Sequence, residues 1–339
     1  KTLNKSTNVI VQLIKIAFSF IIAVTIISLF EQSGEFKKSQ QDVLDYKYLD
    51  GYYTSNGFNS AEYSNSMTNP DIAKRYSDSM LELYKNHHSL LCDYAGSNEA
   101  QGSMGALRPY YVQQTIIANQ NYLKEFANMQ VDGSSLDESL FSTPTVLIPN
   151  MYKNDESLIK EHIAGEYELL LNYNQNYGIQ EEHRTNNFNI VYVDDNSTIK
   201  VNTDNGFSDI TGGIIIVDTA NFGGLYYLDS LNNRSLFFSL DSRAEFSALL
   251  TKYDLAQLVV AGTLLTPYLT QLESVTFVLK TLMMFAIVFV VSLVFILYIS
   301  NYVDIFVNRK RYALKETLGF SHFKILKNRY LIWAIEIMV

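Results

Sequence analysis

A single cysteine, Cys92, in 339 residues excludes an internal disulfide framework, and the expected role for that thiol is a buried, apolar one. No GxxxxGK[ST] loop is present, so the chain does not cradle ATP phosphates in the P-loop manner, and any ATP-driven work needs a partner subunit. HExxH and GxSxG are missing too, and scattered serines and carboxylates do not by themselves make a hydrolase. His87 and His88 are neighbours, which on a helix points them about 100° apart, a poor geometry for zinc. They are expected at the surface. Val131 to Glu138, VDGSSLDE, carries acids and hydroxyls without the spacing of a calcium loop and reads as a solvated turn. No catalytic, cofactor-binding or metal-ligating residue emerges, and an enzyme is not expected.

Charge is scarce in two places that decide the class. From Leu282 to Ile299 there is none, and from Val9 to Phe30 the only charged side chain is Lys15. Both runs come close to the roughly 20 residues that cross a bilayer. A third apolar segment starts at Tyr330 and carries one carboxylate, Glu336, so the chain is expected to be a fragment ending inside that helix. The first run is long, and no small-residue cleavage site follows it, which favours a retained helix over a removed leader.

Basic residues set the orientation. Seven lie between 301 and 329, and Lys1 and Lys5 precede the first run, so both flanks are expected in the cytoplasm. The intervening piece, Glu31 to Ser274, holds 15 Lys or Arg against 32 Asp or Glu, a net −17 that the overall −9 conceals. Such a surface suits a cationic peptide, divalent ions or plain solubility, and it argues against nucleic acid.

The expected class is an α-helical membrane protein with a large extracellular α+β domain inserted between transmembrane helices 1 and 2. The expected division is a cytoplasmic leader (1–8), transmembrane helix 1 (9–30), the extracellular domain in one or two subdomains (31–274), transmembrane helix 2 (275–300), a cytoplasmic loop (301–329) and the start of transmembrane helix 3 (330–339). Within the domain, Gly34 is a point where a helix leaving the membrane would break. Gly51 to Thr68 reads as loop or irregular strand. Asn69-Pro70 starts a helix running to about Gly96. Strands are expected at Tyr111–Ile117, Thr145–Pro149, Phe188–Val193, Ile199–Asn202 and Gly213–Val217, with Asp194 to Ser197 joining the third and fourth as a hairpin. Helices are expected at Asn121–Met129, from Asn154 toward Leu171, and after Asp241. Tyrosine comes in pairs, 52/53, 110/111 and 226/227, fit either for a binding surface or for ordinary packing.

Leu265, Leu269, Leu272, Thr276, Leu279, Met283 and Ala286 are spaced alternately four and three apart. That seam predicts either a helical stalk continuous with the second span or a separate core helix at Thr263–Ser274. Beyond the span comes NRKRYALKETLGFSHFK, Asn308 to Lys324. Arg309, Lys310 and Arg311 are followed by Lys315 and by Leu314 and Leu318 on one helical face. Gly319 is placed to cap the helix, and Ser321 to open another through Phe323 toward Trp333.

This order, a span, an outer domain, a span extended as a stalk, then a basic helix ending Leu318-Gly319-Phe320-Ser321, resembles the MacB/FtsX-like ABC transporter permeases. Arg311-Tyr312 departs from the acidic-aliphatic pair that many members carry there. The form RKRYALKETLGFS is most similar to the Gram-positive branch of bacteriocin-associated integral membrane proteins, proposed to act in producer immunity. The resemblance implies a permease subunit whose helix at Arg309–Ser321 docks on a separate ABC ATPase holding ATP and Mg²⁺. It also implies a second permease copy or half, and export of peptide or antibiotic, or immunity, by mechanotransmission. An FtsX-like regulator of an extracellular cell-wall hydrolase is the alternative. A two-span sensor is the third reading, disfavoured because the chain turns apolar again after 329.

Overall fold

The computed structural model describes residues 2–94, 115–184, 187–203 and 206–324. Tyr110, Tyr111, Lys327, Arg329, Trp333, Glu336 and the expected third span lie outside the described residues. The chain divides into two compact units, one made of Lys1–Asp45 with Pro267–Val339, the other of Tyr46–Thr266. The compact sheet unit lies inside the expected outer region 31–274, because helix continues past the apolar runs on both sides.

In the first unit, α1 (Thr2–Asp45) is one helix of 44 residues. It runs through Gly34 without a break. A lone helical glycine costs only about 1 kcal/mol relative to alanine, and the Glu, Gln and Lys around it are good helix formers. Its portion Leu13–Asp45 is long enough to cross a membrane and contains an 18-residue stretch of mean hydropathy 2.5.

The second unit is built on an eight-stranded mixed sheet. After a 3₁₀ turn at Lys47–Gly51 come β1 (Tyr52–Phe58), α2 (Ser60–Thr68) and α3 (Pro70–Asn86). The stretch 51–68, expected as loop or irregular strand, is a strand whose register shifts between Ser55 and Phe58, followed by a helix capped by Asn59, whose side chain accepts from Ala61 N. At α3 the Asn-Pro start is observed, Asn69 accepting from Asp71 N and Ile72 N. The helix stops at Asn86, well short of Gly96, and β2 (Ser89–Tyr94) follows. Leu90 and Leu91 point to opposite faces of this strand and both are buried, so the short run shows no period that separates strand from helix.

Next come β3 (Thr115–Asn119), α4 (Gln120–Phe126), the short β4 (Ala127–Asn128), β5 (Gln130–Val131) and β6 (Ser134–Ser135), then β7 (Thr145–Pro149) and α5 (Glu156–Leu171). The cap expected from Asn154 falls to Asp155, with no side-chain hydrogen bond. The chain continues through β8 (Asn189–Val193), β9 (Thr198–Thr203), β10 (Gly206–Thr211), β11 (Ile214–Asp218), α6 (Gly224–Asn232), β12 (Leu236–Ser239), α7 (Arg243–Lys252) and β13 (Val259–Thr263).

The large sheet has the order β13-β1-β12-β2-β3-β11-β7-β8, and β10-β9-β4 form a separate small sheet. Two neighbouring pairs in the large sheet are parallel, β3 with β11 and β7 with β8. The expected hairpin between β8 and β9 is absent; β9 instead pairs with β10 and β4. The reason lies in the Asp194 carboxylate, which accepts from Asp132 N at 3.1 Å and Gly133 N at 2.8 Å and ties the turn to the β5–β6 connection. Inside, α3, α5, α6 and α7 contribute Met80, Leu83, Ile163, Tyr167, Tyr227, Leu231 and Phe246 to one continuous core with the sheet residues.

The last helix, α8 (Thr266–Thr317), has 52 residues, roughly 80 Å at about 1.5 Å per residue. A bilayer core is only about 30 Å thick. Thr266–Val303 is long enough to cross a membrane and contains an 18-residue stretch of mean hydropathy 3.0. The second span is thus continuous with the helix that precedes it, as the stalk expectation had it; the alternative, a separate core helix at 263–274, is absent, and so is the expected loop between span and basic helix. After Pro267, in the first turn, neither proline nor glycine occurs before Gly319, so nothing in the sequence stops the helix.

Candidate functional sites

The basic stretch is the end of α8 rather than a helix of its own. Arg309, Lys310, Arg311, Leu314 and Lys315 lie in its last turns, and Leu318, Gly319, Phe320 and Ser321 form the turn that follows. Its closure is a Schellman motif: Phe320 N donates to Lys315 O at 3.1 Å, Gly319 N to Glu316 O at 2.9 Å, and Gly319 takes φ +82°. Ser321 Oγ then accepts from Lys324 N at 3.4 Å, the start of a new helical turn. The expected helix, turn, helix is therefore seen as far as Lys324.

Leu314, Leu318, Phe320 and Phe323 are all exposed, beside the exposed charges of Arg309, Lys310 and Arg311. The Arg309 guanidinium lies 4.9 Å from the Phe306 ring centre, which steadies part of the cationic face. The result is an apolar and basic tip at the end of a long lever.

The seam is only partly as expected. Leu265 does not belong to the helix: it sits in the turn before it, buried in the sheet domain. Leu272, Thr276 and Leu279 are half-buried, while Leu269 and Met283 are exposed. The less exposed line runs through Leu272, Val275, Leu279, Leu282, Ala286 and Phe289, and Phe18 of α1 meets Phe289 edge to face at 6.3 Å. In a helix apolar on every side, hydropathy does not mark which side meets a neighbour.

In the sheet domain, the parallel strands β3 and β11 end side by side, Asp218 opposite Asn119. Both are buried. The Asp218 carboxylate accepts from the Tyr84 hydroxyl at 2.5 Å, the Tyr227 hydroxyl at 2.8 Å and Ala220 N at 3.0 Å. Burial pushes its pKa up to about 6, outweighing the hydroxyls that stabilise the charge. Asn119 donates from Nδ2 to the Tyr84 hydroxyl at 3.0 Å and to Ser89 O at 2.9 Å, while its Oδ1 accepts from Leu91 N and Tyr122 N. The Tyr84 and Tyr227 rings stack at 4.0 Å. Above these groups opens a cleft of about 300 Å³ that also involves Lys85, His87, Gln120, Asn121 and Phe141.

Sequence reasoning missed this cleft. The available signal was the ending of two apolar runs, TIIAN and IIIVD, in a polar residue; that the two strands lie parallel and adjacent was not visible. The neighbouring histidines diverge, His87 Nε2 to the Tyr253 hydroxyl at 3.2 Å and His88 Nε2 to Glu125 at 2.7 Å. Burial, then Lys252, lowers the His87 pKa. Cys92 is buried as expected, and burial pushes its thiol pKa well up.

Two helices long and apolar enough to cross a membrane, together with a mixed α/β sheet domain lying between them in sequence, define the class that the coordinates support. No protein-family model matches the chain, and no curated protein matches it.

Proposed function

We propose that the chain is the permease subunit of a MacB/FtsX-like ABC transporter, anchored in the cell membrane with its sheet domain outside. The observation that carries this reading is the uninterrupted α8, which leaves the sheet domain at Thr266 and ends at Thr317 in an exposed basic and apolar tip. A rigid helix of that length outreaches the bilayer, so a displacement at the tip is passed along it. The tip, from Arg309 to Ser321, docks in a groove of a separate ATPase that supplies ATP and Mg²⁺. Its cations alone would suit anionic lipid headgroups, but Leu314, Leu318 and Phe320 need an apolar cover. In this reading a second permease copy completes the unit, and ATP-driven closure of the ATPase moves the outer domains to expel a peptide or antibiotic or to confer bacteriocin immunity.

The test is copurification of the full-length protein with its P-loop ATPase. Leu314→Asp together with Leu318→Asp abolishes the complex while leaving membrane insertion intact. Retained ATPase binding overturns the docking assignment. Recovery of an extracellular cell-wall hydrolase bound to the sheet domain, with no effect of the chain on peptide or antibiotic resistance, replaces transport by hydrolase regulation.

A further inference from the structure

The geometry points to the cleft at the paired ends of β3 and β11 as a binding site for a small, neutral, hydroxyl-rich ligand of sugar-ring size, held by the side chains of Lys85, Gln120, Asn121 and Asp218 against Phe141.

The carboxyl ends of adjacent parallel strands are where α/β folds commonly place their ligands, because the loops leaving them diverge and open a crevice. Here the floor is rigid. Tyr84, Tyr227 and Ala220 N fix Asp218, and Asn119 is held by five hydrogen bonds to backbone and hydroxyl partners. A binding surface whose own polar groups are already oriented loses little entropy when a ligand arrives.

The walls decide the ligand's chemistry. Gln120 and Asn121 follow Asn119 directly, so side-chain amides crowd one side, each with a donor and an acceptor. Asn121 donates to Ser89 O at 3.0 Å, which leaves its carbonyl oxygen turned to other duties. Beside them, at the neighbouring strand end, Asp218 offers an acceptor, and the exposed Lys85 offers a donor. An anion would face the Asp218 carboxylate, and a cation would face the Lys85 ammonium. A hydroxyl both donates and accepts and suits all of these groups at once. Phe141 supplies an apolar wall for the C–H face of a ring. The volume, about 300 Å³, lies at the small end of ligand cavities and fits a single sugar ring with its substituents.

The experiment uses the full chain in lipid nanodiscs, since glycoside detergents would compete. Saturation-transfer NMR is run with N-acetylglucosamine and glucose as sugar probes, methylammonium as the cation and methyl phosphate as the anion. At least one sugar binds with a Kd in the millimolar range, and Gln120→Ala and Lys85→Ala each weaken it by about tenfold, the loss of one good hydrogen bond. Both positions lie at the cleft's edge, and unchanged near-UV circular dichroism shows that the domain remains folded. Binding of methylammonium or methyl phosphate in place of sugar, sugar binding indifferent to both substitutions, or no binding of either sugar overturns the assignment. None of these outcomes touches the ATPase docking reading, which is tested by substitutions at Leu314 and Leu318.

Discussion

A buried aspartate, Asp218, and two half-buried ones, Asp93 and Asp229, are costly for this domain, and tyrosine hydroxyls are what make them tolerable. Asp218 has Tyr84 and Tyr227, Asp93 has Tyr226 at 3.1 Å, and Asp229 has Tyr173 at 2.9 Å and Tyr177. Burial raises all three carboxyl pKa values, and the hydroxyl donors offset only part of it. A carboxyl whose folded-state pKa lies above its unfolded one stabilises the fold most when protonated, and that contribution is lost as pH rises through the folded pKa. For Asp218 the window runs from about pH 4 to about pH 6. Urea unfolding across that range should show wild-type stability falling relative to Asp218→Asn by on the order of 3 kcal/mol, and parallel pH profiles would refute the buried ionisation. The tyrosine pairs are explained at the same scale. Adjacent residues on α6 point in different directions, so Tyr226 reaches Asp93 and Tyr227 reaches Asp218, both from within the core. On β1, Tyr53 packs in the core against Phe246, and Tyr52 turns the other way onto Phe126 and Phe237. For these two pairs packing, rather than a binding surface, is the observed role.

Elements are held at their ends by a few glycines and amides. A Cβ on Gly224, the first residue of α6, would come 2.0 Å from the backbone oxygen of Ser77 in α3, so α6 approaches α3 as closely as backbone allows. Asn174 locks the same corner, donating to Ser77 Oγ at 2.9 Å and accepting from Leu225 N at 3.1 Å. Gly224→Ala should destabilise the domain by about 1–3 kcal/mol in urea unfolding, because backbone rather than a flexible side chain must give way; an unchanged midpoint would mean that the two helices separate freely. Gly319 works through conformation instead, since nothing lies near it but its φ is +82°. Gly319→Val should speed hydrogen exchange of the Gly319-position and Phe320 amides by about tenfold, the cost of a β-branched residue in a left-handed turn. Which of these features the sequence announced follows from their range. Asn69-Pro70 and Gly319-Phe320-Ser321 are local motifs and were legible, as were β7 and β11, where β-branched runs are bounded by turn residues. The extent of β2, the parallel pairing of β3 with β11, and the Gly224–Ser77 contact depend on residues far apart in the chain. The seam of α8 was legible only in its spacing, because apolar side chains cover every face.

At the scale of the whole molecule, charge and hydropathy divide the chain in the same way as its compact units do. The sequence between the two long helices is strongly acidic, and the described tip of α8 is basic. In the proposed orientation these lie on opposite sides of the membrane, which the chain's single, buried cysteine makes simple to examine. Cys92 is buried and its thiol pKa is pushed well up, so this chain without substitutions should be silent toward maleimides in its folded state. Leu169 on α5 and His322 beyond Gly319 are both exposed, and neither is a core residue, so each accepts a reporter cysteine. In intact cells a membrane-impermeant maleimide should modify Leu169→Cys and leave His322→Cys untouched. After permeabilisation both should react to similar extents, while the chain without substitutions still does not. Labelling of His322→Cys from outside would put the basic tip on the wrong face to meet an ATPase, and with it the lever reading of α8 would fail even though the helix itself remained intact.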